Sequence, residues 1–360
     1  MSDDSLRILW VKSGPLLPLN TGGRRRTHAM LEHLAKRHEV TYLANLAEGQ
    51  LLDPGEEGSP YAKEKIWIPS REPAEGSVAY LAEALCNLLF STRPLVLDRY
   101  ENPKLRERLL ELDGSGRFDL VICDFLTPAV SFDFDQLATP AILFQHNVEA
   151  QIWKRLAREK KNLATQLYFR DQYSRMFEAE RLLSEKFESV ITVSPEDAER
   201  CREDYGLSNV LGAVATGVDT DFFRPPERAA PASGRIGFLG SMDWMPNIEC
   251  VHYFVREILP RVRKNLPEAR FRVIGRNPAS SVRRLGEEDH GIEITGTVED
   301  VRLHLDQCDL VVVPLQSGGG TRIKIFEAMA QGVPVVSTTI GAEGLPVKDG
   351  TDILIADSAE

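Results

Sequence analysis

Residues 317–338 read SGGGTRIKIFEAMAQGVPVVST, and this stretch decides the fold. An apolar run, Leu310 to Val313, precedes it and predicts a strand. Gly318, Gly319 and Gly320 then predict a turn, and the helix-forming residues after them carry Arg322, Lys324 and Glu327. Gly332-Val333-Pro334 feeds a second apolar strand at Val335 and Val336. Strand, glycine-rich turn and helix N-terminus together make an anion site, because unpaired backbone N–H groups and the helix dipole converge there. A diphosphate is the natural occupant, since Arg322 offers a planar fork and Lys324 a point charge, both suited to phosphate oxygens. Glu327, one turn on, cannot serve phosphate and suits sugar hydroxyls. A plain turn beside solvated charges would explain the glycines alone. Arg, Lys, Glu and Gly-Val-Pro in one block point instead to a nucleotide-sugar site.

Outward from this block, strand and helix alternate along the chain. Residues 6–11 read as a buried strand, 22–36 as a turn and amphipathic helix, and 40–44 as the next strand, the opening of a parallel α/β sheet. Further strands are predicted at 120–123, 141–145 and 190–193, with a long helix over 163–186. Residues 224–234, RPPERAAPASG, are rich in proline and small residues and read as a linker. A second strand and helix series follows, with strands at 236–239, 271–274, 292–294 and 310–313. The expected architecture is α/β, two doubly wound Rossmann-like domains at 1–224 and 235–360 joined by a linker at 225–234. Ligands in such sheets gather at the carboxyl ends of the strands.

Two places in the first domain carry candidate chemistry. The paired Gly22 and Gly23 would let a helix N-terminus approach a ligand closely, although a plain helix start explains them almost as well. His146, in FQHNVE at the end of an apolar strand, is either a ligand contact or a strand cap bonded to backbone. Asn147 reads as a helix cap, and Glu149 as cap support or an acceptor-side group.

The order of these motifs resembles glycosyltransferase family 4, retaining enzymes with the two-domain GT-B fold, and within it a bacterial exopolysaccharide-associated branch. Thr216-Gly217-Val218-Asp219 with Phe222-Phe223-Arg224-Pro225 is similar to the family's segment before the second domain. Phe238-Leu239-Gly240-Ser241-Met242, Val273-Ile274-Gly275-Arg276 and Thr295-Gly296-Thr297-Val298 resemble three successive strand-end loops of its donor domain. The resemblance implies that Glu327 holds the donor ribose and that Gly240, Ser241, Gly275, Gly296, Val298, Gly319, Gly320 and Thr321 surround the donor. It also implies that His146 contacts the transferred sugar and that Gly22 and Gly23 face the donor phosphate and the acceptor. Besides Thr216, which replaces a usual Asn, two departures from the family pattern matter. Gly319 stands where a glutamate commonly contacts the sugar, and Ser241, Met242 and Asp243 stand where an Arg and a Lys commonly hold the diphosphate. The cationic role then passes to Arg322 and Lys324.

The activity so implied is retaining transfer of a glycosyl unit from a nucleotide diphosphate sugar to a glycan or lipid-linked acceptor, across a cleft between the domains. Nucleotide-sugar epimerase or hydrolase activity in the same architecture is the alternative, as is a non-catalytic sugar-nucleotide-binding protein, motivated by Gly319. Asp133-Phe134-Asp135 has the D-x-D form of metal ligands in the other large glycosyltransferase architecture, but acid and aromatic also alternate in edge strands and turns. No metal and no cofactor beyond the co-substrate are assigned. Relatives usually close with a helix crossing back onto the first domain, which residues 351–360 do not supply, so it is expected to be missing.

Composition bounds the remainder. A formal net charge of -11 argues against general nucleic-acid affinity. Cys86, Cys123, Cys201, Cys250 and Cys308 are scattered and form no Cys-x-x-Cys pair, which suggests neither a disulfide framework nor a zinc site and fits a reducing cytoplasm. The acidic start Met1-Ser2-Asp3-Asp4 is no signal peptide, and the apolar run 78–90 is too short to cross a bilayer. Residues 153–161, WKRLAREKK, read as a solvated basic helix, with a membrane-facing patch for a lipid-linked acceptor as the alternative.

Overall fold

The run RILWVK folds as β1 (Arg7–Lys12), buried at every residue after the first, as a strand must be when helices cover both faces of a parallel sheet. In this computed structural model, residues 5–19, 21–71, 77–159, 162–227, 234–317 and 322–360 are described. Side chains along β1 alternate between two cores. Leu9 and Val11 pack with Val121, Cys123 and Leu143, whereas Ile8 and Trp10 pack on the other face with Leu31, Tyr42 and Phe144.

Around β1 the first sheet adds β2 (Glu39–Ala47), β3 (Glu64–Ser70), β4 (Leu120–Asp124), β5 (Ala141–Phe144), β6 (Ser189–Thr192) and β7 (Val210–Ala213). Its order is β3-β2-β1-β4-β5-β6-β7, with every pairing parallel. Direction of winding reverses between β1 and β4, so their carboxyl ends, at Lys12 and Asp124, flank the crevice where such sheets bind ligands. β3 and β7 were not among the expected strands. Both are edges. Pro69 in β3 lacks a donor and is tolerated only there, and β7 is interrupted at Gly212, φ 146°, beside a register shift.

The second sheet repeats the plan with β8 (Arg235–Leu239), β9 (Arg270–Ile274), β10 (Ile292–Gly296), β11 (Leu310–Val313), β12 (Val335–Ser337) and β13 (Leu354–Ile355). Its order is β10-β9-β8-β11-β12-β13, again parallel throughout, with the switch between β8 and β11. Phe238, Phe271, Val273, Val311 and Val313 form its core, and the helix Ile323–Ala330 turns Ile325 and Ala328 into it.

The chain divides into Met1–Ala215 and Thr216–Glu360, earlier than the boundary expected at 224. Residues 216–224 go with the second unit because Phe223 is buried in its core. The Phe222 carbonyl also accepts from Arg302 at 3.1 Å, and the guanidinium lies 3.8 Å from the Phe222 ring centroid. Most of the expected linker, residues 228–233, lies outside the described residues. Among the described residues no helix is long and apolar enough to cross a membrane.

Candidate functional site

At the end of β8 the chain turns through Gly240 into the helix Met245–Tyr253. A side chain at Gly240 would sit 2.7 Å from both the Lys324 ammonium and the Asn247 amide nitrogen, so only glycine lets these groups approach the backbone. Gly275, at the end of β9, is tighter still: a Cβ there would meet the Gly240 carbonyl oxygen at 1.7 Å. The two loops are tied by Gly240 N–H donating to the Ile274 carbonyl at 3.0 Å and Met242 N–H to the Arg276 carbonyl at 2.9 Å. Arg276 Nε donates to Ser241 Oγ (2.8 Å), whose hydroxyl donates to Asp243 Oδ1 (2.6 Å), while Asn277 Nδ2 donates to Asp243 Oδ2 (3.0 Å). Burial pushes the Asp243 carboxyl up, but these donors and the Arg276 charge hold it below its ordinary value.

Lys324 reaches this loop from the first turn of Ile323–Ala330. Its ammonium lies 4.4 Å from the Phe238 ring centroid and donates to Asn247 Oδ1 at 2.8 Å, and Asn247 Nδ2 donates to the Ser241 carbonyl at 2.8 Å. Burial lowers the Lys324 pKa to about 8, with Cys250 and Glu327 opposing that shift and Arg322 adding to it. Arg322, the residue before the helix, is 4% exposed, with its guanidinium 5.9 Å from the Trp244 ring centroid. Glu327 is buried on the same helix. The structure therefore gathers Gly240, Ser241, Gly275 and Lys324 in one place, with Arg322 just before, and Glu327 on, the helix that brings Lys324 there. Gly296 (φ 70°) ends β10 and lines a hollow of about 500 Å3 together with Arg283, Thr295 and Asn277, the residue that also donates to Asp243, and Val298 packs on the core. Gly319, Gly320 and Thr321 lie outside the described residues.

The first sheet's crevice is organised by a residue that the sequence reading passed over. Asp124, fully buried, accepts at Oδ2 from Trp10 Nε1 (3.0 Å), Lys12 Nζ (2.7 Å) and Thr27 Oγ1 (2.7 Å). Its Oδ1 lies 2.7 Å from His146 Nε2, although the ring N–H is not aligned on it. Burial pushes the Asp124 carboxyl up, but Lys12 and His146 outweigh that and hold it well below the usual carboxylate range. Burial lowers the His146 pKa to about 4 despite Asp124, so the ring is neutral at pH 7. The carboxylate selects the Nε2–H tautomer and leaves Nδ1 an acceptor. That Nδ1 is the atom nearer Gly23, whose Cβ position lies 4.0 Å from it and 2.9 Å from the Phe125 ring.

Phe125 stacks on His146 with centroids 3.9 Å apart, and its φ of 78° is a conformation that a bulky residue adopts at a cost. His146 is thus held by Asp124 and Phe125, not by backbone, and the Gly22-Gly23 turn, where the helix Gly22–Leu34 begins, runs beside it. Arg26 on this helix lies 4.9 Å from the Phe144 ring centroid, and burial lowers its pKa to about 10, which leaves it cationic. Lys12 and Asp124 had one faint signal in the sequence, a charged residue closing an apolar run in RILWVK and LVICD, and Thr27, on the helix Gly22–Leu34, had none. Asn247 and Arg276 had none beyond their place after a strand.

Asp133 accepts from Gln136 Nε2 (2.6 Å) in a turn, and Phe134 packs on Phe132 and Phe187. Among the described residues no three His, Cys, Asp or Glu side chains are grouped to hold a metal ion.

A family model described as Glycosyltransferase Family 4 matches residues 20–222, and one described as Glycosyl transferases group 1 matches residues 233–360. The chain is 20% identical to an "uncharacterized 44.6 kDa protein in cps region" of Klebsiella pneumoniae, over 97% of this chain and 87% of that protein. It is 28% identical to a GDP-mannose-dependent α-(1-6)-phosphatidylinositol monomannoside mannosyltransferase of Mycolicibacterium smegmatis, over 48% of this chain and 49% of that protein. Among solved structures, Anabaena HepE in complex with UDP and glucose superposes with a TM-score of 0.62 at 14% identity, over 99% of this chain and 86% of that one. Sucrose-phosphate synthase from Thermosynechococcus elongatus gives 0.66 at 15% identity, over 93% and 82%. At such identities the likeness is one of fold, two Rossmann-like units of the GT-B type.

Proposed function

The chain belongs to glycosyltransferase family 4, and from that premise we propose that it moves a glycosyl unit from a nucleotide diphosphate sugar to a glycan or lipid-linked acceptor, with retention and without a metal ion. One observation carries the donor assignment. At the switch point of the second sheet, Lys324 is held against the Gly240 backbone by a neutral amide acceptor, Asn247, so its charge is left for an incoming anion.

In this reading Arg322 and Lys324 take the diphosphate and Glu327 the ribose, with Gly240, Ser241, Gly275, Gly296 and Val298 around the donor. As the anomeric C–O bond lengthens, negative charge grows on the diphosphate and positive charge on the sugar ring. The two cations stabilise the former, and no protein nucleophile is needed. Neutral His146, its Nδ1 toward Gly23, accepts a hydrogen bond from a hydroxyl of the transferred sugar. UDP and glucose in HepE and the GDP-mannose dependence of the mycobacterial relative support a nucleotide-sugar donor. An exopolysaccharide acceptor, handled on the cytoplasmic side, is part of this reading, and the relative from a cps region agrees with it.

Thermal stabilisation across a panel of nucleotide sugars identifies the donor, since a ligand bound to the native state raises apparent stability. Product analysis with that donor then tests the reaction. Glycosylated acceptor formed in EDTA supports the proposal, free sugar indicates a hydrolase, and no product despite binding indicates a sensor.

A further inference from the structure

The helix Val78–Phe90 has its polarity reversed. A surface helix turns its apolar stripe inward, yet among the residues of this helix whose side chains are described, Asn87 alone is buried. Val78 and Phe90 are each 84% exposed, Leu89 62% and Leu85 58%. The sequence VAYLAEALCNLLF holds a single charge, Glu83, and that carboxylate lies 3.9 Å from Arg99. Polar ties hold the helix in this orientation. Asn87 Nδ2 donates to the Arg93 carbonyl (3.0 Å) and to Asp98 Oδ2 (2.7 Å). Arg175, on the helix Leu163–Glu185, donates to the carbonyls of Asn87 (2.9 Å), Leu88 (3.2 Å) and Ser91 (2.7 Å).

The surroundings continue the pattern. The helix that supplies Arg175 begins with Leu163 and Leu167, 69% and 55% exposed. Against its middle packs the helix Glu149–Glu159, where Lys154 Nζ lies 5.8 Å from the Tyr173 ring centroid. Among the described residues of 150–170, Lys154, Arg155, Arg158 and Arg170 are basic against the single acid Glu159, in a chain whose net charge is -11.

We propose that this face docks on an anionic lipid bilayer, with Val78–Phe90 entering the interfacial layer and the basic segment lying over the headgroups. An exposed apolar helix face asks for an apolar layer to enter, and a cationic flank asks for an anionic surface; a membrane interface offers both. A symmetric pair of this chain fits less well, because a two-fold contact through this face would set each basic segment against its own copy. The proposal deepens the reading of a lipid-linked acceptor and uses none of the donor-site residues.

Cys86 on this helix is exposed while the other four cysteines are buried, so an environment-sensitive fluorophore can be placed on the natural thiol. Its emission should shift to the blue on mixing with phosphatidylcholine vesicles that contain phosphatidylglycerol. In cosedimentation, Leu89→Ser with Phe90→Ser should lower partitioning by at least about tenfold. Lys154→Ala and Arg158→Ala should each lower it about fivefold, on the anionic vesicles only. Wild-type protein that stays off the vesicles, or variants that partition as it does, would overturn the proposal. So would self-association, seen by light scattering, that the Leu89 and Phe90 substitutions abolish, for the face would then belong to a second copy. Stabilisation by nucleotide, measured on the same variants, should be unchanged, so a failure here is distinguishable from a failure of the donor assignment.

Discussion

Lys12, which closes β1, and Lys324, on the helix Ile323–Ala330 and reaching the end of β8, both lie at the switch point of their own sheet, and burial lowers the pKa of both. Their partners differ. Lys12 meets the buried carboxylate of Asp124, which also gathers Trp10, Thr27 and His146. Lys324 meets the amide oxygen of Asn247. A cation matched by a carboxylate is already satisfied and serves to position its neighbours. A cation resting on a neutral dipole gains most when an anion arrives. In the proposed reading the first crevice holds a neutral histidine still, and the second receives charge.

The sharpest way to break this comparison is to remove the carboxylate. Asp124→Ala leaves Lys12 buried without its counter-charge and should cost about 3–5 kcal/mol in urea unfolding. Stabilisation of the protein by nucleotide should persist. An unchanged unfolding midpoint would mean that the Asp124 cluster is not what holds the first crevice together.

In the second unit the effect should fall on binding. Arg322→Ala should weaken diphosphate binding by one to two decades in calorimetry, since a charged hydrogen bond contributes about 1.5–3 kcal/mol. Glu327→Gln should weaken full nucleotides and spare inorganic diphosphate, which has no ribose. Equal losses for both ligands would remove Glu327 from the ribose.

The lysine comparison is sharpened by pH. Lys324 loses its proton through about pH 8 in the free protein, well below an ordinary lysine, because burial disfavours the charged form. A bound diphosphate favours the protonated form and raises that pKa. Affinity should therefore be level below about pH 8, fall above it by up to about tenfold per unit, and be accompanied by proton uptake in that range. Lys324→Met should flatten the profile.

The smallest effect is expected at Gly23. A methyl group there would press on the Phe125 ring at 2.9 Å, and that ring is already packed by His146, stacked at 3.9 Å, and by the Lys12 ammonium, 4.3 Å from its centroid. Gly23→Ala should cost about 1 kcal/mol of stability, with the larger change appearing in turnover as His146 shifts. Turnover equal to wild type would show that the ring and the histidine move without consequence.

Much of this arrangement was legible beforehand. Apolar runs bounded by glycine announced β1, β4, β8 and β11, and the helix formers around Lys324 and Glu327 announced Ile323–Ala330, because burial on both faces leaves a continuous apolar signature. β3 and β7 escaped notice because edge strands tolerate the proline and glycine that read as punctuation in a sequence. His146 and Gly23 were picked out separately, from strand-end and turn chemistry, with nothing to show that one aromatic ring, Phe125, would stand between them.

The sequence by itself determined the two α/β units, the family and the strand ends at which ligands gather, since hydrophobic periodicity and glycine placement are local properties of the chain. Which charges neutralise one another was decided only by tertiary structure. Lys12 and Asp124 are far apart in sequence, as are Lys324 and Asn247, and each pair meets because parallel strands bring the ends of distant segments side by side. Whether a buried lysine finds a carboxylate or an amide there sets its remaining charge, and that depends on strand order, which no local pattern records.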